Sequence, residues 1–228
     1  MKAMLLAAGR GERMRPLTDA VPKPLLEAGG KPLLAWHLER LAAAGLREVV
    51  INVSWLGERI VERFGNGAEF GLAIAWSREA PAPLETAGGI ATALPLLGEA
   101  PFVLINSDVY SDFDLARLAS LRLGDAHAHL VLVPNPEHHP RGDFSLLRGS
   151  VGQEGAPRYT YAGIALLSPR IVAGVAAGTK APLGPLLHRA AAEGRARGEL
   201  HAGYWCDVGT PQRLAALDAK LRKRNTAP

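Results

Sequence analysis

The chain has 228 residues, 48% of them hydrophobic, enough for one domain with its own core, and no apolar run reaches the ~20 residues that span a bilayer. Its net charge of +4 rests on 20 arginines and 6 lysines scattered along the sequence, without the basic stripe and interleaved aromatics of a nucleic-acid surface. Cys206 is the one cysteine, which excludes an internal disulfide and suits a reducing cytoplasm. The start, Met1-Lys2-Ala3-Met4, leads straight into an apolar run and lacks the pattern of a cleaved signal peptide.

Residues 3–8 are apolar and stop at Gly9, the pattern of a buried strand ending in a loop. Gly9 and Gly11 let the backbone of that loop approach a ligand closely, and Arg10, Arg13 and Arg15 supply guanidinium forks. Exposed N–H groups beside such forks suit the oxygens of a phosphate chain. Lys23 adds a point charge whose reach is restricted by Pro22 and Pro24. Gly9, Gly11 and Met14 do not complete a dinucleotide fingerprint, which needs a third small residue and so argues against an oxidoreductase.

Residues 32–44 read as a helix, with Pro32 suited to the first turn, Gly45 to the stop, and Leu34, Leu38 and Leu41 on one face. Residues 48–53 form a β-branched run and predict a buried strand. Residues 56–64 predict a short helix ended by Gly65, and 72–76 another strand. A helix begun near Thr86 is expected to stop at Pro95. Residues 101–105 then form a strand that runs into Asn106-Ser107-Asp108.

In the second half, residues 129–133, 143–147 and 159–167 predict strands, the last with Gly163 inside it. Residues 169–176 and 183–192 read as helices, and 204–208 as a short strand. Thr210-Pro211 caps a final helix that turns Leu214, Leu217 and Leu221 inward and ends in the solvated cluster Lys220, Arg222, Lys223 and Arg224. Strands alternating with helices early, then hairpin-like strands, imply an α/β sandwich with a mixed central sheet, one domain over residues 1–228.

In open α/β sheets ligands gather at the carboxyl ends of strands, where the glycine loop, Asp108 and Asp207 all fall. Two carboxylates brought together there suit Mg²⁺, which takes hard oxygen ligands and completes its shell with phosphates and water. Asp112 is expected instead to cap the helix near residues 115–121. His138 and His139 read as a loop pair, Cys206 as a packed thiol, and Trp36 and Trp55 as packing residues.

The string L-A-A-G-x-G-x-R-M-x-P-L-T with P-K-P-L, together with N-x-D at Asp108 and W-x-D-V-G-T at Asp207, resembles the sugar-phosphate nucleotidyltransferases. These enzymes join a nucleoside triphosphate to a sugar 1-phosphate and release pyrophosphate. Leu84 to Ile90, His138 to Phe144 and Ser54 to Gly57 look like the short bacterial branch that uses UTP and N-acetylmuramate 1-phosphate in cell-wall recycling. The resemblance implies the nucleotidyltransferase fold, a Rossmann-like three-layer sandwich whose mixed sheet is mostly parallel. It also implies a cytoplasmic monomer or weak homodimer that needs Mg²⁺ and binds neither nucleic acid nor membrane.

By that resemblance Ala7, Gly9, Gly11 and Glu12 wrap the triphosphate, Arg13 contacts the leaving phosphates and Lys23 the reacting ones. Asp108 and Asp207 hold the metal, and with Arg13 and Lys23 form the catalytic set. The region from Glu79 to Gly88 meets the base, Asn106 touches both substrates, and Asp143 and Gly163 line the sugar pocket. Ser107 stands where much of the family has glycine, which predicts crowding at the Asp108 loop. Glu85 likewise stands where broader relatives often have glycine, leaving any base contact there to backbone. The E-K-P tripeptide of many sugar-nucleotide pyrophosphorylases is absent. Mannose 1-phosphate guanylyltransferases share the general signature, and a non-catalytic sugar-nucleotide sensor would be expected to have lost Lys23 or a metal carboxylate.

Overall fold

The computed structural model describes residues 1–225; the last three residues of the expected 1–228 domain lie outside the described part. In the first half the elements are β1 (Ala3–Leu6), α1 (Leu17–Ala20), β2 (Glu27–Ala28), β3 (Lys31–Pro32), α2 (Leu33–Ala43), β4 (Glu48–Val53), α3 (Gly57–Phe64), β5 (Ala73–Arg78), α4 (Glu85–Leu97) and β6 (Phe102–Asn106). There follow β7 (Val109–Ser111), α5 (Leu115–Ser120), β8 (Ala128–Val133), β9 (Phe144–Leu147), β10 (Ser150–Gly152) and β11 (Arg158–Leu167). The chain ends with α6 (Gly184–Ala192), β12 (Ala196–Leu200), β13 (Trp205–Asp207) and α7 (Pro211–Asn225).

Nine strands form one sheet in the order β5-β4-β1-β6-β11-β8-β12-β10-β9. The β5-β4-β1-β6 half is parallel, as is β8 with β12, while β11 runs antiparallel to β6, β8 and β9, and β10 to β9 and β12. The sheet is therefore mixed rather than mostly parallel. Short connections such as the β9–β10 turn cannot make the long crossover that a parallel pair requires.

Side chains alternate across the sheet. Leu5, Ile51, Val103 and Ile105 face Leu34 and Leu38 of α2, Ile60 of α3 and Leu118 of α5. Met4, Val50, Phe102 and Leu104 face Ile90 of α4 and Leu187 of α6. A third, smaller cluster joins Leu217 and Leu221 of α7 to Met14, Leu33, Tyr110 and Val208.

Three local expectations change. Pro95 lies inside α4, which continues to Leu97. In the final turn a proline gives up only one backbone bond, and the helix ends at Gly98, whose N–H donates to Leu94 O. Residues 169–176 make only a 3-10 turn over Pro169–Val172, because Ala173 turns extended and Gly174 takes φ 87°. Asp114, not Asp112, caps α5, its carboxylate accepting from the amides of Ala116 and Arg117. Asp112 sits two residues too early and bonds His201 Nε2 at 2.9 Å.

The loop after β1 is fixed by its own sequence. Gly11 takes φ 66°, and a Cβ there would lie 2.9 Å from the Thr18 methyl. Thr18 is buried and donates to Gly11 O at 2.8 Å. From the neighbouring strand, Ser107 donates through Oγ to Leu6 O at 2.5 Å, so its side chain ties β1 to the start of the Asp108 loop instead of crowding it. Beneath that loop lies His37 of α2, buried, its ring against the carbonyls of Ser107 and Val109.

Gly11→Ala is expected to destabilise the fold by ~1–2 kcal/mol, the cost of holding an L-residue in the left-handed region. Gly9→Ala, with no atom within 4 Å of the added Cβ, should stay within ~0.5 kcal/mol of wild type. Urea unfolding of the two variants checks the contrast. His37 gives a pH dependence: burial, then repulsion from Arg40, pushes its imidazole from 6.5 down to about 4. The unfolded chain takes up this proton below about 6.5 and the folded one does not. Its contribution is thus complete above pH 6.5 and falls by roughly 3 kcal/mol as pH drops to 4. His37→Leu should flatten that part of the stability curve; an unchanged slope would rule the assignment out.

Candidate active site

A cleft of about 830 Å³ opens at the carboxyl ends of β1, β4 and β6. Ala7, Gly9, Gly11, Glu12, Arg13 and Lys23 line it from the first loop. Glu79, Asn106 and Asp108 line it from the later strands. A second cavity of about 410 Å³ shares Glu85, Thr86 and Asn106 with the first and is walled by Asp143, Phe144, Tyr161, Leu187 and His188.

The amides of Gly9, Arg10 and Gly11 have no hydrogen-bond partner among the described residues, so they are available to a ligand. Ala7 N–H is not, because it donates to Asn52 Oδ1 at 2.8 Å. Asn52 in turn donates to Glu79 Oε1 at 2.6 Å, and Leu84 N–H donates to Glu79 Oε2 at 2.7 Å. Both oxygens of this buried carboxylate are therefore committed to holding the β5–α4 loop against β1 and β4. Arg10 is also engaged, lying 4.6 Å from the Trp55 ring centroid.

The two acids are linked through the backbone of a two-stranded ribbon, Asp108 on the wall of the first cavity and Asp207 on the wall of neither. β13 runs antiparallel to β7, Asp207 pairs with Val109, and Val208 N–H donates to Asp108 O at 2.7 Å. Each carboxylate carries a cation. Lys23 Nζ lies 2.7 Å from Asp108 Oδ2, with only 11% of the lysine side chain exposed. Arg213 Nη1 lies 2.6 Å from both oxygens of Asp207, whose Oδ1 is 3.1 Å from His138 Nε2. A Cβ on Gly209 would lie 3.2 Å from Arg13 Nη1 and against the Arg213 guanidinium, so both arginines flank that residue. Cys206, between these groups on β13, is half-buried, and burial raises its thiol pKa. A thiol held protonated in this way is a poor nucleophile.

On the other side, Asp143 Oδ2 accepts from Tyr161 N at 2.8 Å and Oδ1 lies 2.9 Å from His139 Nε2. Gly163 is not on the wall of either cavity; it takes φ 72° at a register shift in β11 and backs the Asn106 side chain, which a Cβ would meet at 2.9 Å. Gly88 is also displaced from the wall: it is buried in α4, its N–H donating to Ala181 O at 3.1 Å, and a Cβ there would strike Thr179 O. Glu85 takes φ 59°, a conformation that favours glycine, and pairs with Lys180 at 3.3 Å.

Sequence reasoning assigned no role to Asn52, Thr18, Arg213 or the His138-His139 pair. Asn52 carried a faint signal, an amide at the carboxyl end of a β-branched strand. His139 pairs with Asp143 only four residues on, a spacing the sequence does carry, whereas His138 finds Asp207 only through the fold.

Comparison with known proteins agrees with this geometry. A family model described as nucleotidyl transferase matches residues 2–144. The chain is 50% identical over 225 residues to an N-acetylmuramate alpha-1-phosphate uridylyltransferase of Neisseria meningitidis serogroup B, covering 96% of this chain and 97% of that one. It is 36% identical to the Caulobacter vibrioides enzyme of the same name, covering 96% of each. A mannose-1-phosphate guanyltransferase of Yarrowia lipolytica is 31% identical over 93% of this chain and 61% of its own. Among solved structures, a Bacillus anthracis protein assigned as a glucose-1-phosphate thymidylyltransferase, crystallised with sucrose, shares the fold. It superposes with a TM-score of 0.87 at 20% identity, over 100% of this chain and 98% of that one. Among the described residues no helix is long and apolar enough to cross a membrane. With its strand-end cleft, its phosphate-type loop and these relatives, the chain belongs to the nucleotidyl transferase family.

Proposed function

We propose that the protein transfers uridylyl from UTP to N-acetylmuramate 1-phosphate, giving the UDP-sugar and pyrophosphate, in cell-wall recycling. The observation that carries this reading is the junction of Asp108 and Asp207 through β7 and β13 beside the Gly9–Gly11 loop. Half-identity to the Neisseria enzyme over nearly the whole chain favours the uridylyl and muramate specificity over the guanylyl alternative. We read the 228 residues as one domain, a Rossmann-like three-layer sandwich with helices on both faces of the sheet. It would act as a monomer or weak homodimer in a reducing cytoplasm that keeps Cys206 free.

The donor set suits Mg²⁺ in its chemistry: Asp108 on the cleft wall and Asp207, joined to it through the β7–β13 ribbon, are oxygen donors, with room in the cleft for phosphate and water to complete the shell. Asp108 and Asp207 would hold it. When bound, the ion offsets charge on the α-phosphate and on the departing pyrophosphate. The free amides of Gly9, Arg10 and Gly11 hold the triphosphate, and Arg13 faces the leaving phosphates. Lys23 holds Asp108 before substrate arrives and faces the reacting phosphates afterwards.

The nucleophile is a phosphate oxygen of the sugar substrate. It forms a P–O bond to the α-phosphorus as the bond to the β-phosphate oxygen breaks, and pyrophosphate leaves with that electron pair. A phosphate monoester, with a second pKa near ~6, is already ionised, so no protein base is required. Catalysis is positioning and charge stabilisation.

Lys23→Ala and Asp108→Ala are each expected to lower turnover at least ~10²-fold, the scale of losing one electrostatic stabiliser. Pyrophosphate release across UTP, GTP and dTTP with N-acetylmuramate, mannose and glucose 1-phosphates tests the specificity. The muramate–UTP pair should dominate. Near-normal turnover in either variant, or faster release from GTP and mannose 1-phosphate, contradicts the reading.

A further inference from the structure

The residues assigned to the sugar side, Asn106, Asp143 and Gly163, carry no positive charge, yet the sugar substrate arrives as a phosphate dianion. The wall of the second cavity holds no arginine or lysine. Lys23 is committed to Asp108. Lys23 is one charge against a dianion, which leaves place for a second cation beside the first cavity, on the side where Gly209 lines its wall.

We propose that Arg213, supported by His138, is the receptor for the phosphate of the sugar 1-phosphate; this rests on the nucleotidyltransferase reading above and names the residues that seat its second substrate. Three observations converge on it. The adjacent His138 and His139 span the distance, His139 on Asp143 at 2.9 Å and His138 on Asp207 at 3.1 Å. The dipeptide thus ties Asp143, on the wall of the second cavity, to Asp207 at the edge of the first. Arg213 stands at the far end, its Nη1 2.7 Å from His138 Nε2 and 2.6 Å from both Asp207 oxygens.

Arg213 also has donors to spare. All its side-chain contacts run through Nη1, and Nε and Nη2 have no acceptor among the described residues. The side chain is 23% exposed, so those donors are reachable. Finally, Arg13 and Arg213 both flank Gly209, and the carboxylate of Asp207 pairs with Arg213. Two guanidinium groups and one carboxylate leave an excess of positive charge that a second anion satisfies.

The test is calorimetric binding of N-acetylmuramate 1-phosphate, unphosphorylated N-acetylmuramate and UTP, each with Mg²⁺, to wild type, Arg213→Gln and His138→Gln. Arg213→Gln should weaken the sugar phosphate at least ~10-fold, the scale of one charge-assisted contact, and leave UTP within ~3-fold. The difference between phosphorylated and free sugar should shrink in the same variant, and KM for the sugar phosphate should rise more than kcat falls. Equal weakening of UTP would assign Arg213 to the nucleotide instead. Unchanged affinity for both ligands would leave it a counter-ion of Asp207 and overturn the proposal. If Arg213→Gln melts early, His138→Gln decides by the same comparison. A wild type that releases pyrophosphate from no substrate pair fails the functional reading; a working enzyme whose variants keep their sugar-phosphate affinity fails this inference alone.

Discussion

The pairing of β7 with β13 is the constraint on which the site depends. Each strand has only three residues, and neither belongs to the main sheet. Yet the ribbon links two acids that lie about a hundred residues apart in the chain. A short ribbon is weak alone. Here it is supported from both sides: Trp205 Nε1 donates to Ala162 O at 2.9 Å, and Tyr110 and Val208 are buried under α7. The sheet supplies rigidity, the ribbon supplies the second carboxylate, and the glycine loop of β1 supplies the open amides beside them.

The electrostatics follow from that placement. A carboxylate drawn into half-buried surroundings loses solvation unless a cation accompanies it. Lys23 and Arg213 do this, one for each acid, before any ligand is present. The preference for arginine over lysine across the chain has a local meaning here. Arg213 reaches both oxygens of Asp207 and a histidine while keeping other donors open, which an ammonium group cannot match in a fixed plane.

What could be read in advance was mostly short-range. The apolar runs at β1, β4 and β6 announce strands buried on both faces, and the glycine loop announces an open backbone. Asp108 and Asp207 stand out in the sequence as acids near the ends of strands, Asp108 two residues past β6 and Asp207 the last residue of β13. The errors were local conflicts settled by tertiary structure. Pro95 was tolerated because it falls in a last turn, and Asp112 lost the capping role because α5 begins only at Leu115, which puts Asp114 at the cap. The contacts that tie Asn52 to Ala7 and Glu79, and His138 to Asp207, join residues from separate strands or loops, and no spacing in the sequence encodes them. Gly163 and Gly88 were placed one layer too shallow, since a glycine reports close approach without saying what approaches. In both cases it was protein: Asn106 for one, the 179–181 segment for the other.

The small cluster under α7 has a mechanical side. Leu217 and Leu221 rest on Met14 from the phosphate-type loop and on Val208 beside the second acid, while Asp218 accepts from Gly29 N at 2.8 Å. One helix therefore grips both jaws of the cleft at their base. A tether, fusion or docking partner that torques this helix pulls on loop and ribbon together, so the tail of the chain is a handle on the spacing of the reacting groups as well as a piece of the core.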